Sequence, residues 1–156
     1  MEDAHAAVDR LLGSFPLTPD ALLPLLLRVQ AALGHVPPDA VPRIARAVNL
    51  SQAEVHSVLR FYSHFRSSPP GRHVVRLCRS EACQAVGAEA LAAHAQQRLG
   101  AGFHDTSPDG AVTLEPVHCL GLCAAGPALM VDEREVRGRV TPESFDALVQ
   151  RLRGGR

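Results

Sequence analysis

The sequence predicts an α+β protein, with a bundle of helices in its N-terminal part followed by a compact α/β domain. Three observations carry this expectation. Apolar residues recur at helical spacing up to about Arg66; Ser67-Ser68-Pro69-Pro70-Gly71 is a linker by composition; and beyond it short apolar runs bounded by turn residues replace the helical pattern. The expected boundaries are a helical module over residues 1–66, a linker over 67–71 and an α/β domain over 72–156. At 156 residues and 46% hydrophobic content the chain can bury one real core or two small ones.

In the helical module, Thr18-Pro19 and Pro24 are start signals before LLLRVQAALG, which ends at Gly34, a residue suited to a left-handed cap. Val36-Pro37-Pro38 then resets the direction. A helix over 39–48 places Val41, Ile44, Ala45 and Val48 on one face. Ser51-x-x-Glu54 is a capping box, and the helix after it sets Val55, Val58, Leu59, Tyr62 and Phe65 on one stripe. On that reading the aromatics of FYSHF (61–65) pack inside the bundle, with docking to a partner as the rival use.

After the linker, HVVRLC (73–78) reads as a strand, residues 84–99 as an Ala-rich helix, and 100–110 as a loop. VTLEPVHC (112–119), ALMVD (128–132) and EREV (133–136) are further strand candidates. Thr141-Pro142-Glu143 opens a last helix with Phe145, Leu148, Val149 and Leu152 inward. The order is strand, helix, strand, strand or hairpin, helix, which is thioredoxin-like.

Composition narrows the function classes. All sixteen basic residues are arginine, they are scattered, formal net charge is zero and aromatics make up only 4%. A nucleic-acid groove needs clustered cations and stacking platforms, so that class is set aside. The longest apolar run, near 22–27, is broken by Pro24 and followed by Arg28, far short of the roughly 20 residues that span a bilayer. No direct membrane insertion is expected. MEDAHAAVDR is acidic before it is apolar and lacks the basic region of a secretory signal, so a cytoplasmic, reducing compartment is the expectation.

The chemistry lies in the four cysteines. Cys78 and Cys83 in CRSEACQAVG have four residues between them, and Cys119 and Cys123 in HCLGLCAAGP have three. Disulfides do not suit a reducing compartment. A thiol oxidoreductase wants C-x-x-C, which is absent. Spacing leaves two readings open. Zinc takes four thiolates in two pairs, commonly with two to four residues between members, and would make the chain a zinc-stabilised adaptor. A 2Fe-2S cluster needs two thiolates on each iron, delivered from facing loops. A helix after Cys83 would aim its amides at such an anion, and Gly121 and Gly126 would let the second loop turn with φ above zero. Arg79 adds a positive charge nearby and Glu81 opposes it.

The pattern C-x4-C-x3-G at Cys78, Cys83 and Gly87, then C-x3-C-x3-P at Cys119, Cys123 and Pro127, then V-T-P-E at 140–143, resembles the thioredoxin-like 2Fe-2S subunit of NADH dehydrogenases. VQAALGHVP, NLSQAEV and FYSHF resemble that family's helical extension, so the likeness covers about residues 20–153. It favours iron-sulfur over zinc. LCRSEACQAVG and HCLGLCAAGPALMVD look most like the gamma subunit of soluble NAD-dependent molybdenum formate dehydrogenases; bidirectional NAD-reducing hydrogenases and respiratory complex I share every ligand.

The resemblance implies an electron-transfer subunit with no catalytic residue of its own. One 2Fe-2S cluster is held by Cys78, Cys83, Cys119 and Cys123, the first pair on one iron and the second on the other. It exchanges single electrons with a flavin-bearing, NADH-binding subunit. FMN, NAD, the molybdenum cofactor and further iron-sulfur clusters belong to that subunit and to the molybdenum catalytic subunit. His118 adjoins a ligand, but four thiols already complete the set, so it is expected outside the coordination sphere. Pro127 is expected to be trans, as most X-Pro bonds are.

Overall fold

The computed structural model describes residues 4–155, which form two compact units, one through Pro69 and one from Pro70. The first is helical, with α1 (Ala4–Gly13), α2 (Leu22–Leu33), α3 (Val41–Ala47) and α4 (Gln52–Phe61). Short 3-10 turns, Pro19–Ala21 and Pro38–Ala40, lead into α2 and α3. Proline suits these starts because it lacks the N–H that a first turn leaves unpaired. Gly34 ends α2 at φ 78°, its N–H bonded to the Gln30 carbonyl. Ser51 and Glu54 close the expected capping box at the head of α4. Leu25, Leu26, Val29, Val36, Ile44 and Val55 are fully buried and make the core.

α4 is shorter than its sequence stripe. It stops at Phe61, and Tyr62 is extended (φ −92°, ψ 105°). The Gln30 amide, 6% exposed, donates to the His64 carbonyl at 2.7 Å and accepts the Arg66 N–H at 2.8 Å. The Val36 N–H donates to the Arg66 carbonyl. These tertiary bonds pull residues 64–66 back across the unit and win over continued helix. Phe65 packs on the core, whereas Phe61 is 79% exposed and Tyr62 42%. Interior packing therefore describes Phe65 and not the whole motif.

The second unit runs β1 (His73–Cys78), α5 (Glu81–Gln84), α6 (Ala88–Leu99), β2 (Val112–Val117), β3 (Leu129–Val131), β4 (Glu135–Arg137) and α7 (Pro142–Gly154). The sheet order is β2-β1-β3-β4, with β1 parallel to β2 and antiparallel to β3, and β4 antiparallel to β3. Val75, Leu77, Leu114 and Leu129 meet Leu91, Leu99 and the expected Phe145, Leu148, Val149 and Leu152 in one core. Thr141 and Ser144 cap α7 reciprocally. The fold is the α+β class that the sequence predicts.

One expected helix is two. Residues 84–99 do not form a single rod: α5 is one turn, and α6 starts at Ala88 after Gly87 at φ 100°. A left-handed residue cannot continue a right-handed helix, so the direction resets there. Among the described residues no helix is long and apolar enough to cross a membrane.

Candidate functional site

The parallel pairing of β1 with β2 brings the two cysteine segments together. Cys78, the last residue of β1, stands opposite Val117, the last of β2, and Cys119 follows two residues later. The Arg79 N–H donates to the Val117 carbonyl at 2.7 Å, tying the two strand ends, and the Cys78 N–H donates to the Ala128 carbonyl at 2.9 Å. Carboxyl ends of neighbouring parallel strands are where α/β folds place ligands. Cys83 sits inside the single turn of α5, its N–H on the Ser80 carbonyl, and Cys123 opens the 3-10 turn Cys123–Ala125.

All four thiols are free, and the two pairs differ in setting. Cys78 and Cys83 are buried at 3% and 2%, among Ala88, Ala128 and the half-buried Val117, Leu120 and Leu122, while Cys119 and Cys123 are exposed. Cys119 is held at φ 125°, outside the regions an L-residue ordinarily occupies.

Amides and a hydroxyl face the sulfurs. The Gly121 N–H points to Cys119 Sγ at 3.3 Å, and Ser80 Oγ lies 3.5 Å from Cys78 Sγ. Burial pushes the Cys78 thiol up, but bonds with Ser80, with Cys83 and from the Leu120 amide outweigh it, leaving the group below its ordinary value. Burial pushes the Cys83 thiol up, and its bond with Cys78 and the nearby charges of Cys78 and Cys123 add to this against the Ala128 amide. The neighbouring thiols are thus pushed in opposite directions by their surroundings.

Several expectations change in detail. The turn that contains Cys83 is α5, so the longer α6 does not start at this cysteine. Gly121 does adopt positive φ (75°), but Gly126 is at −67°. Glycine is needed there for room: a β-carbon on it would lie 2.8 Å from Val86 Cγ2 and 3.3 Å from Cys83 Sγ. The Gly126–Pro127 bond is cis, against the trans expectation; the tertiary amide of proline makes the two forms close in energy. His118 is exposed. The Arg79 guanidinium is turned to Glu89 and lies 5.1 Å from the Phe103 ring centroid, so Glu89 rather than Glu81 balances it.

Sequence reasoning missed the amides of Ser80, Leu120 and Ala128. Every residue but proline carries an N–H, so no residue type signals this role.

The profile of the family described as thioredoxin-like [2Fe-2S] ferredoxin matches residues 8–153. This chain belongs to that family. Family members carry one 2Fe-2S cluster, and four free thiols on two loops, three of them met by backbone amides, have the donor chemistry of a group bound through thiolates. The chain is 38% identical over 122 residues to an NADH-quinone oxidoreductase subunit of Pseudomonas aeruginosa, covering 78% of this chain and 73% of that one. It is 35% identical over 136 residues to NADH-quinone oxidoreductase subunit 2 of Thermus thermophilus, covering 87% and 75%. A Rhizobium meliloti subunit of the same name class is 32% identical over 152 residues, covering 97% and 88%. Among solved structures, an NAD+-reducing [NiFe]-hydrogenase in the H2-reduced state superposes with a TM-score of 0.68 at 22% identity. That match covers 88% of this chain and 23% of the hydrogenase chain, and it shows a shared fold.

Proposed function

We propose that Cys78, Cys83, Cys119 and Cys123 hold one 2Fe-2S cluster, the first two on one iron and the last two on the other, and that the chain is an electron-transfer subunit. The observation that carries this is the convergence of both cysteine loops at the carboxyl ends of β1 and β2. When bound, such a cluster supplies one-electron storage, which a flavin handling hydride as an electron pair requires of its neighbour.

The chain's own residues fix the site and its charge. β1 and β2 set the loop spacing through the Arg79 to Val117 bond. The Ser80, Leu120 and Ala128 amides face the Cys78 and Cys83 sulfurs and favour their negative charge, and the Gly121 N–H donates to Cys119 Sγ. Burial of Cys78 and Cys83 keeps water from one side, and exposure of Cys119 and Cys123 leaves the other side open.

The flavin-bearing, NADH-binding subunit is the proposed electron partner. Relatives named as NADH-quinone oxidoreductase subunits support a host complex of that kind. Among the alternative hosts of such a subunit, the likeness of LCRSEACQAVG and HCLGLCAAGPALMVD to a gamma subunit supports an NAD-dependent molybdenum formate dehydrogenase, in the cytoplasm. FMN, NAD, the molybdenum cofactor and further clusters then reside on neighbouring subunits.

Anaerobic purification tests the core of this reading. The chain should be reddish-brown, with about two irons and two acid-labile sulfides each. Colourless protein with one tightly held zinc would make it a zinc-stabilised adaptor instead. Co-purification tests the host: a molybdenum enzyme oxidising formate is expected, and a nickel-iron hydrogenase or a quinone-reducing complex would replace it.

A further inference from the structure

The electron-transfer reading leaves the aromatic end of α4 without a use. Phe61, the last residue of that helix, is 79% exposed, and its ring meets Tyr62 edge-on at 5.0 Å between centroids. An aromatic this exposed gains nothing for the bundle, and such side chains concentrate at the centres of protein interfaces. Beside it runs an open groove of about 330 Å³ with Leu22, Leu23, Leu50, Val58 and Tyr62 along its apolar walls. That volume sits at the bottom of the range for small-molecule sites and suits one inserted side chain.

The rim is acidic. Asp20 and Glu54 border the groove, and among the described residues no basic side chain lines it. Bonds from the Ser51 amide and hydroxyl hold the Glu54 carboxyl below its ordinary value, so this rim charge is present at neutral pH. We infer that the groove beside Phe61 and Tyr62 docks a segment of a neighbouring subunit carrying an apolar side chain flanked by arginine or lysine. The inference rests on the chain being a subunit of a larger complex. The apolar side chain fills the space between Leu23 and Tyr62, the segment also contacts Phe61, whose ring adjoins Tyr62, and the flanking cations meet Asp20 and Glu54.

The test purifies the complex through an affinity tag on this chain and compares F61A and D20R with wild type for retention of the neighbouring subunits as salt rises. Phe61 is 79% exposed and lies outside the core of the helical unit, so beyond the Tyr62 ring contact F61A removes exposed surface; the isolated variant should unfold close to the wild-type midpoint while its affinity for the complex falls about tenfold or more. D20R opposes the flanking cations and weakens retention likewise. A photo-crosslinking residue at position 61 should label another subunit, at a peptide with an apolar residue beside arginine or lysine. Wild-type retention in both variants, or a cross-link to a second copy of this chain or to an acidic segment, overturns the inference. Iron and labile sulfide measured on the same preparations separate the two readings: a metal-free chain that still loses its neighbours on F61A defeats the cluster and leaves the groove standing.

Discussion

Gly126 packs against Cys83 so closely that a β-carbon on it would sit 3.3 Å from the cysteine sulfur and 2.8 Å from Val86 Cγ2. Val86 can swing aside, but Cys83 is buried, and its sulfur would have to give by a few tenths of an ångström. Gly126→Ala should therefore lower the iron and labile sulfide held per chain and cost about 1–3 kcal/mol, the usual penalty of overpacking. Metal analysis and urea unfolding of the same preparation check both numbers. Full cluster content with unchanged stability would show that the 126–128 turn yields freely.

Gln30 carries the return of residues 64–66 in the helical unit. Its amide serves the His64 carbonyl and the Arg66 N–H, and a leucine of similar size would strand both. Each part-buried backbone group left unpaired costs roughly 1–3 kcal/mol, so Gln30→Leu, which strands two, should destabilise the unit by about 2–6 kcal/mol. Hydrogen exchange should rise most at Arg66, whose N–H loses its acceptor. An unchanged denaturation midpoint would mean that the Val36 to Arg66 bond holds the segment alone.

These two glycine and glutamine roles mark where the sequence stopped being legible. Helix starts could be read because a capping box such as Ser51 and Glu54, or a proline at a first turn, is local chemistry. Strand positions could be read because HVVRLC and ALMVD are apolar runs between turn residues. The four cysteines stood out by spacing alone. The end of α4 could not be read, because Gln30 lies 34 residues from the carbonyl it binds. Gly126 looked like a positive-φ glycine because sequence does not distinguish a need for conformation from a need for room.

The acid side of stability should show the pair at the start of β4 and the end of α7. Hydrogen bonds from Arg151 and then Arg137 hold the Glu135 carboxyl below its ordinary value of 4.5. Because the folded value is depressed, its contribution is present above 4.5 and is lost as pH falls through the folded value. The carboxylate is 37% exposed, so solvent screening limits the contribution to about 0.5 kcal/mol. Glu135→Gln should lower stability near neutral pH by that amount and converge with wild type in acid. Parallel stability curves for the two proteins would exclude this linkage.

The contrast between buried and exposed cysteines separates ligation from packing. Cys83 is 2% exposed and belongs to a cluster of buried side chains, whereas Cys119 is exposed. Replacing each by serine removes one thiolate from the proposed set, so iron and labile sulfide should fall in both. The metal-free forms should differ. Cys83→Ser buries a hydroxyl in an apolar pocket and should cost about 1–3 kcal/mol, while Cys119→Ser changes a surface atom and should stay within about 0.5 kcal/mol of wild type. The unit through Pro69 has its own core, so its helical signal should survive in both variants. Cluster loss in Cys119→Ser without loss of apo stability can come only from a ligand role. Wild-type iron and sulfide in that variant would remove Cys119 from the set and leave the second iron short of a thiolate.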